Sequence, residues 1–389
     1  MTHEIKLPTS DGTLEPYTLV GQPLVAVPPS TPFNRIAYSA AHVVAQPFAT
    51  GDAGTSNAID WSRTIAYRRY LLNQGLGIAE AMDTAQRGMG LSWDNALELV
   101  TRTVSETRDI PGALIASGCG TDDLPNVSAA SLDDVIRAYA SQLEAVQRAG
   151  SRIILMASRA LVRAARSERD YVRVYREVLS MCDRRAILHW LGDAFDPELA
   201  GYWGSADFER SAATCLEIIH GNEEKIDGIK ISLLDAQKEI LFRRRLPASV
   251  KMYTGDDFNY PDLIAGDDEG FSHALLGIFD AIVPAASQAL AALAVGDRAR
   301  YDALLRPTVP LSRHIFRAPT QYYKTGVVFL AYLNGFQDHF FMLGGHHGMR
   351  PPLYFAELFR HADAAGLLRD PELAARRIAD VLRPLGCVA

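Results

Sequence analysis

The stretch Glu224-Lys225-Ile226-Asp227-Gly228-Ile229-Lys230-Ile231-Ser232 decides how the rest of the chain is read. Its apolar, β-branched residues mark a short buried strand with one lysine near the far end. Alternation along a strand puts Gly228, Lys230 and Ser232 on one face and Ile229 and Ile231 on the other. If helices cover the outside of a barrel, the isoleucines belong outside and Lys230 points into the lumen. An amine there is cut off from water, which disfavours the ammonium form and lowers its pKa. Such a lysine is either a structural group paired with a carboxylate or a nucleophile that forms a Schiff base with a carbonyl. Gly228 leaves space where a larger side chain would fill the core, which favours the second role.

Working outward, short apolar strands and amphipathic helices alternate. Strands are expected at 35–44, 77–82, 113–117, 152–157, 185–191, 226–232, 250–254 and 270–275. Helical patterns fill the gaps at 60–74, 93–108, 132–149, 169–181, 208–220 and 233–245. Ser92 and Ser131 stand where N-caps are wanted, and Gly150 where a helix must stop. Eight strands, each followed by a helix, predict a closed parallel barrel. An open doubly wound sheet fits less well, because no Gly-rich turn follows the first strand. Beyond the barrel, helical patterns continue at 278–295, 301–305, 321–336, 354–365 and 371–385. Residues 1–30 read as a hairpin turning at Thr9-Ser10-Asp11-Gly12-Thr13 and covering one end of the core. The expected architecture is therefore α/β: a (β/α)₈ TIM barrel over 35–296, an N-terminal hairpin arm over 1–34 and a C-terminal helical extension over 297–389 packed on the barrel.

Composition narrows the function. The 389 residues carry 39 Lys and Arg against 46 Asp and Glu, a net charge of −7, which argues against nucleic acid as a partner. Cys119, Cys182, Cys215 and Cys387 lie far apart with no metal-finger spacing, as suits reduced cytoplasmic thiols. Met1 to Lys6 contains no apolar signal core, and the apolar run 325–333 is too short to span a bilayer. A soluble cytoplasmic protein is expected, with neither membrane nor nucleic-acid partner.

In a barrel of this kind the site lies at the C-terminal ends of the strands. The strands deliver Gln46-Pro47-Phe48, Asp83 to Gly88, Ser117 to Thr121, Ser158-Arg159, His189 to Asp193, Lys230 to Ser232, Tyr253 to Asp257 and Ser272-His273. Gly228-Ile229-Lys230 followed by Tyr253-Thr254-Gly255-Asp256-Asp257 resembles the dihydrodipicolinate synthase and N-acetylneuraminate lyase superfamily of class I aldolase barrels. Thr121-Asp122-Asp123 resembles that family's polar loop after strand three, and Arg350-Pro351-Pro352-Leu353 its Arg-Pro-Pro-Leu near the C-terminus. The resemblance runs from about Arg35 to the C-terminal helices and is that of a divergent branch. It implies a Schiff-base lysine at Lys230, a small keto acid or keto sugar as substrate, no cofactor, and a dimer or tetramer.

Two departures stand out. The family's substrate-carboxylate turn, Gly-Thr-Thr-Gly-Glu, is replaced by Asp83-Thr84-Ala85-Gln86-Arg87, where only Thr84 carries over. The family's proton-relay tyrosine after strand four has no counterpart near Ser158-Arg159-Ala160. Candidates to move protons are His189, at the end of the neighbouring strand, and Tyr253. Expected substrate-binding residues are Thr84, Arg87, Arg159, Gly255, Asp256 and Ser272. A loop reading is preferred for Gly344-Gly345-His346-His347-Gly348 over a metal site. The alternatives are a metal-dependent aldolase or isomerase using His189, Asp193, Glu223, Asp256 and His273, and a barrel that binds carbonyl ligands without turnover.

Overall fold

The computed structural model describes residues 4–50, 52 and 57–387; Met1 to His3, the start of the segment Met1 to Lys6 read above, lie outside them. Eight parallel strands close a barrel in chain order: Ala37–Ala40, Gly77–Glu80, Ile115–Cys119, Arg152–Leu155, Ala186–Leu191, Ile226–Ser232, Lys251–Thr254 and His273–Leu276. The last pairs with the first, Ala274 opposite Ala37, so no edge remains. Each strand overlaps its expected segment, and the strand carrying Lys230 has the expected bounds.

Two apolar regions hold the barrel. One fills the lumen with Tyr38, Ala79, Ala116, Ile154, Ile187, Tyr253 and Leu275. The other lies between strands and surrounding helices and takes the outward residues Ile229 and Ile231 together with Trp190 and Phe242. The parity expected for strand six holds from Gly228 onward. Before it, the register passes from Ala186 opposite Ile226 to Ile187 opposite Gly228, which makes Asp227 the extra residue of a bulge. That extra residue lets both Ile226 and Ile229 face the helices and sends Asp227 to the floor of the lumen.

The helices start where the sequence supplies caps. Ser92 Oγ accepts from Asn95 N, and Ser131 and Asp134 form a reciprocal capping box. The expected helix at 278–295 is two, Ile278–Ala281 and Val283–Ala294, with Pro284 in the first turn of the second. Short helices at Arg159–Ala164, Tyr260–Ala265 and Val309–Ile315 escaped the sequence reading because each is under two or so turns and leaves no periodicity to count.

The N-terminal hairpin pairs Glu4–Pro8 with Leu14–Thr18. It docks on the C-terminal helix Pro352–Ala364 rather than over a barrel end. Asp363 is the anchor: it accepts from the Tyr17 hydroxyl and Val20 N, both at 2.8 Å, and from Gly21 N at 3.1 Å. A buried carboxylate with three donors is fully satisfied, which fixes the arm.

The helix Tyr323–Leu333 places the extension on the barrel mouth. Every one of its residues is buried. It packs on Ile278–Ala281 and on the turn Asp83–Ala85 that follows strand two. No helix among the described residues is long and apolar enough to cross a membrane.

Candidate active site

Lys230 sits opposite His189 of strand five and Tyr253 of strand seven. It is 7 % exposed, and its amine makes neither hydrogen bond nor ion pair with any described residue. Burial lowers its pKa, while the charges of Asp257 and Asp83 oppose that shift. Gly255 is required by the close approach of its strand to this lysine. A Cβ there would lie 2.7 Å from Lys230 Cε and 2.2 Å from Ser232 Oγ.

His189 is fully buried, with Nε2 3.3 Å from Ser232 Oγ. Its Nδ1 has no partner. Burial, then the charge of Lys230, pushes the imidazole well below its ordinary pKa, so it is neutral at pH 7. Asp257 accepts from Ile278 N at 2.8 Å, and burial raises its carboxyl to about 7, Lys230 opposing.

Two adjoining cavities open above these groups. The inner one, about 260 Å³, is lined by His189, Asp83, Arg87, Thr121 and Arg159 among others. The outer one, about 340 Å³, shares Asp83, Arg87 and Arg159 and adds Phe195, Tyr323 and Lys324. Lys230 itself lines neither; its cross-strand neighbour His189 lines the inner one.

The other expected residues divide. Thr84 is at the mouth, its hydroxyl 2.8 Å from that of Tyr323. Arg159 lines both cavities but pairs with Asp196 at 2.6 Å and Glu198 at 3.5 Å. Arg87 is not free to bind substrate. It grips Asp122 through Nε at 2.6 Å and Nη2 at 2.7 Å, and donates to Gln142 and to the Gly118 and Ala81 carbonyls, so each of its N–H groups is engaged. The polar turn Thr121-Asp122-Asp123 therefore serves as its clamp.

Three expectations are corrected by geometry. Tyr253 fills the space left by Gly228: a Cβ at Gly228 would lie 2.6 Å from its ring. Its hydroxyl reaches down to donate to Asp227 at 2.6 Å, away from the mouth. The gap beside Lys230 is thus occupied by a tyrosine that cannot serve the amine. Asp256 spends both carboxylate oxygens on Phe258 N, Asn259 N and Asn259 Nδ2, a turn-forming role. Ser272 precedes strand eight and donates to Glu239 at 2.7 Å, in the helix layer outside the lumen. The strand expected at 270–275 was read as delivering Ser272 to the mouth; it runs from His273 to Leu276, so Ser272 lies before its start.

The alternative metal set does not assemble. Glu223 lies in the turn before strand six and His273 at the start of strand eight, both at the opposite end from His189. Among the described residues no group of three or more His, Cys, Asp or Glu could hold a metal ion. The Gly344–Gly348 loop is a packed cover: Gln86 Nε2 donates to Leu343 O at 2.9 Å and Thr325 Oγ1 to His346 O at 2.8 Å.

Four residues at the site were given no role from the sequence: Asp83 and Asp257, which the strand ends were expected to deliver there, and Tyr323 and Lys324. The last two had a signal. The run after Lys324 is apolar on every face, and such a helix is buried. Its first-turn lysine is then buried too.

The fold and site together define a (β/α)₈ barrel with an unpaired lysine beneath its C-terminal mouth. A family model described as protein of unknown function (DUF993) matches residues 5–387, and the chain belongs to that family. No curated protein sequence matches it. Among solved structures, the chloride-inhibited dihydrodipicolinate synthase from Acinetobacter baumannii, complexed with pyruvate, superposes with a TM-score of 0.63 at 15% identity, covering 86% of this chain and 99% of that one. YagE, a prophage protein of the dihydrodipicolinic acid synthase family from E. coli K12 in complex with pyruvate, gives 0.62 at 13%, covering 91% and 99%. Dihydrodipicolinate synthase from Oceanobacillus iheyensis gives 0.56 at 16%, covering 78% and 87%. These likenesses establish a shared fold.

Proposed function

We propose that this chain is a Schiff-base-forming lyase, of the aldolase or dehydratase kind, acting on a small keto acid or keto sugar. The observation that carries the reading is Lys230: a lumen amine, desolvated, without an ion pair, beside a buried neutral histidine. Its neutral form attacks the carbonyl carbon, and the carbinolamine loses water to give an imine. Once protonated, the imine accepts the electron pair of a neighbouring C–C bond as that bond breaks. Loss of a proton next to the imine followed by departure of hydroxide gives dehydration instead. His189 is the group we assign to proton transfer, because its Nδ1 is buried with nothing to bond. Tyr253 is left out, since its hydroxyl is held by Asp227.

The test is borohydride reduction of the full chain with a panel of keto acids and keto sugars, read by intact mass. A carbonyl-dependent mass gain is expected in the native protein and none in Lys230→Met. No adduct with any compound would end this reading. An adduct formed without turnover would instead make the barrel a carbonyl-binding protein.

A further inference from the structure

The C-terminal extension puts a charged side chain into the outer cavity that the Lys230 chemistry leaves unused. Lys324, in the first turn of the helix Tyr323–Leu333, is 4 % exposed and lines that cavity. Its ammonium donates to the Gln321 carbonyl at 3.1 Å and lies 3.2 Å from the Met89 sulfur. It has no ion pair among the described residues. A carbonyl and a thioether are poor replacements for water around an ammonium, which leaves it under-solvated and receptive to an anion.

The remaining charges around the cavity cancel in pairs. Arg87 is matched by Asp122, and Arg159 by Asp196 and Glu198, the latter also held by Arg163. What is left facing the space is Lys324 and Asp83. The Asp83 carboxylate accepts no hydrogen bond from a described residue and lines both cavities. It also lies within electrostatic reach of both lysines. Asp257 acts electrostatically on the same Lys230 amine alongside Asp83. A carboxylate attached directly to the reacting carbonyl would be forced against that charge, whereas hydroxyl groups there could donate to Asp83.

We propose that the substrate of the Lys230 site carries an anionic group, a carboxylate or a phosphate ester, set apart from its reacting carbonyl and bound by the Lys324 ammonium. The proposal rests on the Schiff-base reading only for which carbonyl reacts, so binding is measured in a background that cannot form the imine. Calorimetry on full-length Lys230→Met compares dihydroxyacetone phosphate, 4-oxopentanoate, dihydroxyacetone and pyruvate. At least one of the first two should bind about tenfold tighter than dihydroxyacetone, and which one does separates phosphate from carboxylate. Pyruvate should gain nothing over dihydroxyacetone. Adding Lys324→Met should erase the preference, Lys324→Arg should keep part of it, and Lys324→Gln replaces the methionine variant should that misfold. A folded Lys324→Met protein that retains the preference, or absence of binding by both remote-anion probes, overturns the proposal. Lys324-dependent binding with no borohydride adduct in the native chain would sink the Schiff-base reading and leave the anion site standing.

Discussion

The two ends of one lumen treat charge in opposite ways. At the floor, Lys251 pairs with Asp227 at 2.7 Å and the Tyr253 hydroxyl donates to the same carboxylate at 2.6 Å. Every polar group of that trio has a partner, so the floor behaves as a plug. One turn of side chains higher, Lys230 has no partner, His189 Nδ1 has none, and Asp83 accepts nothing from a described residue. Buried polar groups are normally satisfied, and leaving one unsatisfied costs on the order of 1–3 kcal/mol. The proposed function puts a substrate against these unpaired groups at the mouth. The contrast sets a lysine paired with a carboxylate, Lys251, against an unpaired one, Lys230, within a single strand pair.

The largest effect should come from the mouth. His189→Gln is expected to cut turnover by about 10²-fold or more while Lys230 still forms its borohydride adduct. Loss of the adduct as well would show that the imidazole supports the nucleophile rather than proton transfer. The floor should answer in stability, not chemistry. Asp227→Ala strands Lys251 and the Tyr253 hydroxyl, and should lower the unfolding free energy by about 2 kcal/mol with the adduct unchanged. Denaturant titration and intact mass read the two sides of that statement.

The smallest effect is a difference in pH signature. Hydrogen bonds from Lys251 and Tyr253 outweigh burial and hold the Asp227 carboxyl below its ordinary value. Its contribution to stability is therefore present above pH 3.8 and is lost as acid protonates it in the native state. Asp257 runs the other way: burial raises its carboxyl to about 7. The native state holds that proton where the unfolded chain has released it, so stability falls as pH climbs from about 4 to about 7. Asp257→Asn should match the native protein at pH 4 and exceed it at pH 8, as urea midpoints would show. Because Asp257 also favours the charged amine, the same variant should form the Lys230 adduct at lower pH.

Much of this was legible in the chain. The periodicity of Ile226 to Ser232, repeated in seven other segments, was enough for the barrel and for the inward aim of Lys230. Contacts made across the lumen were not legible. Nothing in the spacing says that the Tyr253 ring lies over Gly228, or that Arg87 is matched by Asp122 and Gln142, since those pairings depend on how neighbouring strands are staggered. Ser272 went wrong because a strand boundary off by a few residues moves a side chain from one end of a barrel to the other. Lys324 was visible in principle, but only after asking which helix is apolar on all sides.

The central claim is that Lys230, and not another buried amine, takes the carbonyl. Lys324 is the rival, because burial lowers its pKa to about 8 and it faces the cavity directly. Reductive trapping followed by peptide mass mapping puts the two lysines and Lys251 in one experiment. The account predicts the reduced adduct on the peptide carrying Lys230 and none on those carrying Lys251 or Lys324. An adduct on Lys324 with Lys230 untouched would contradict it.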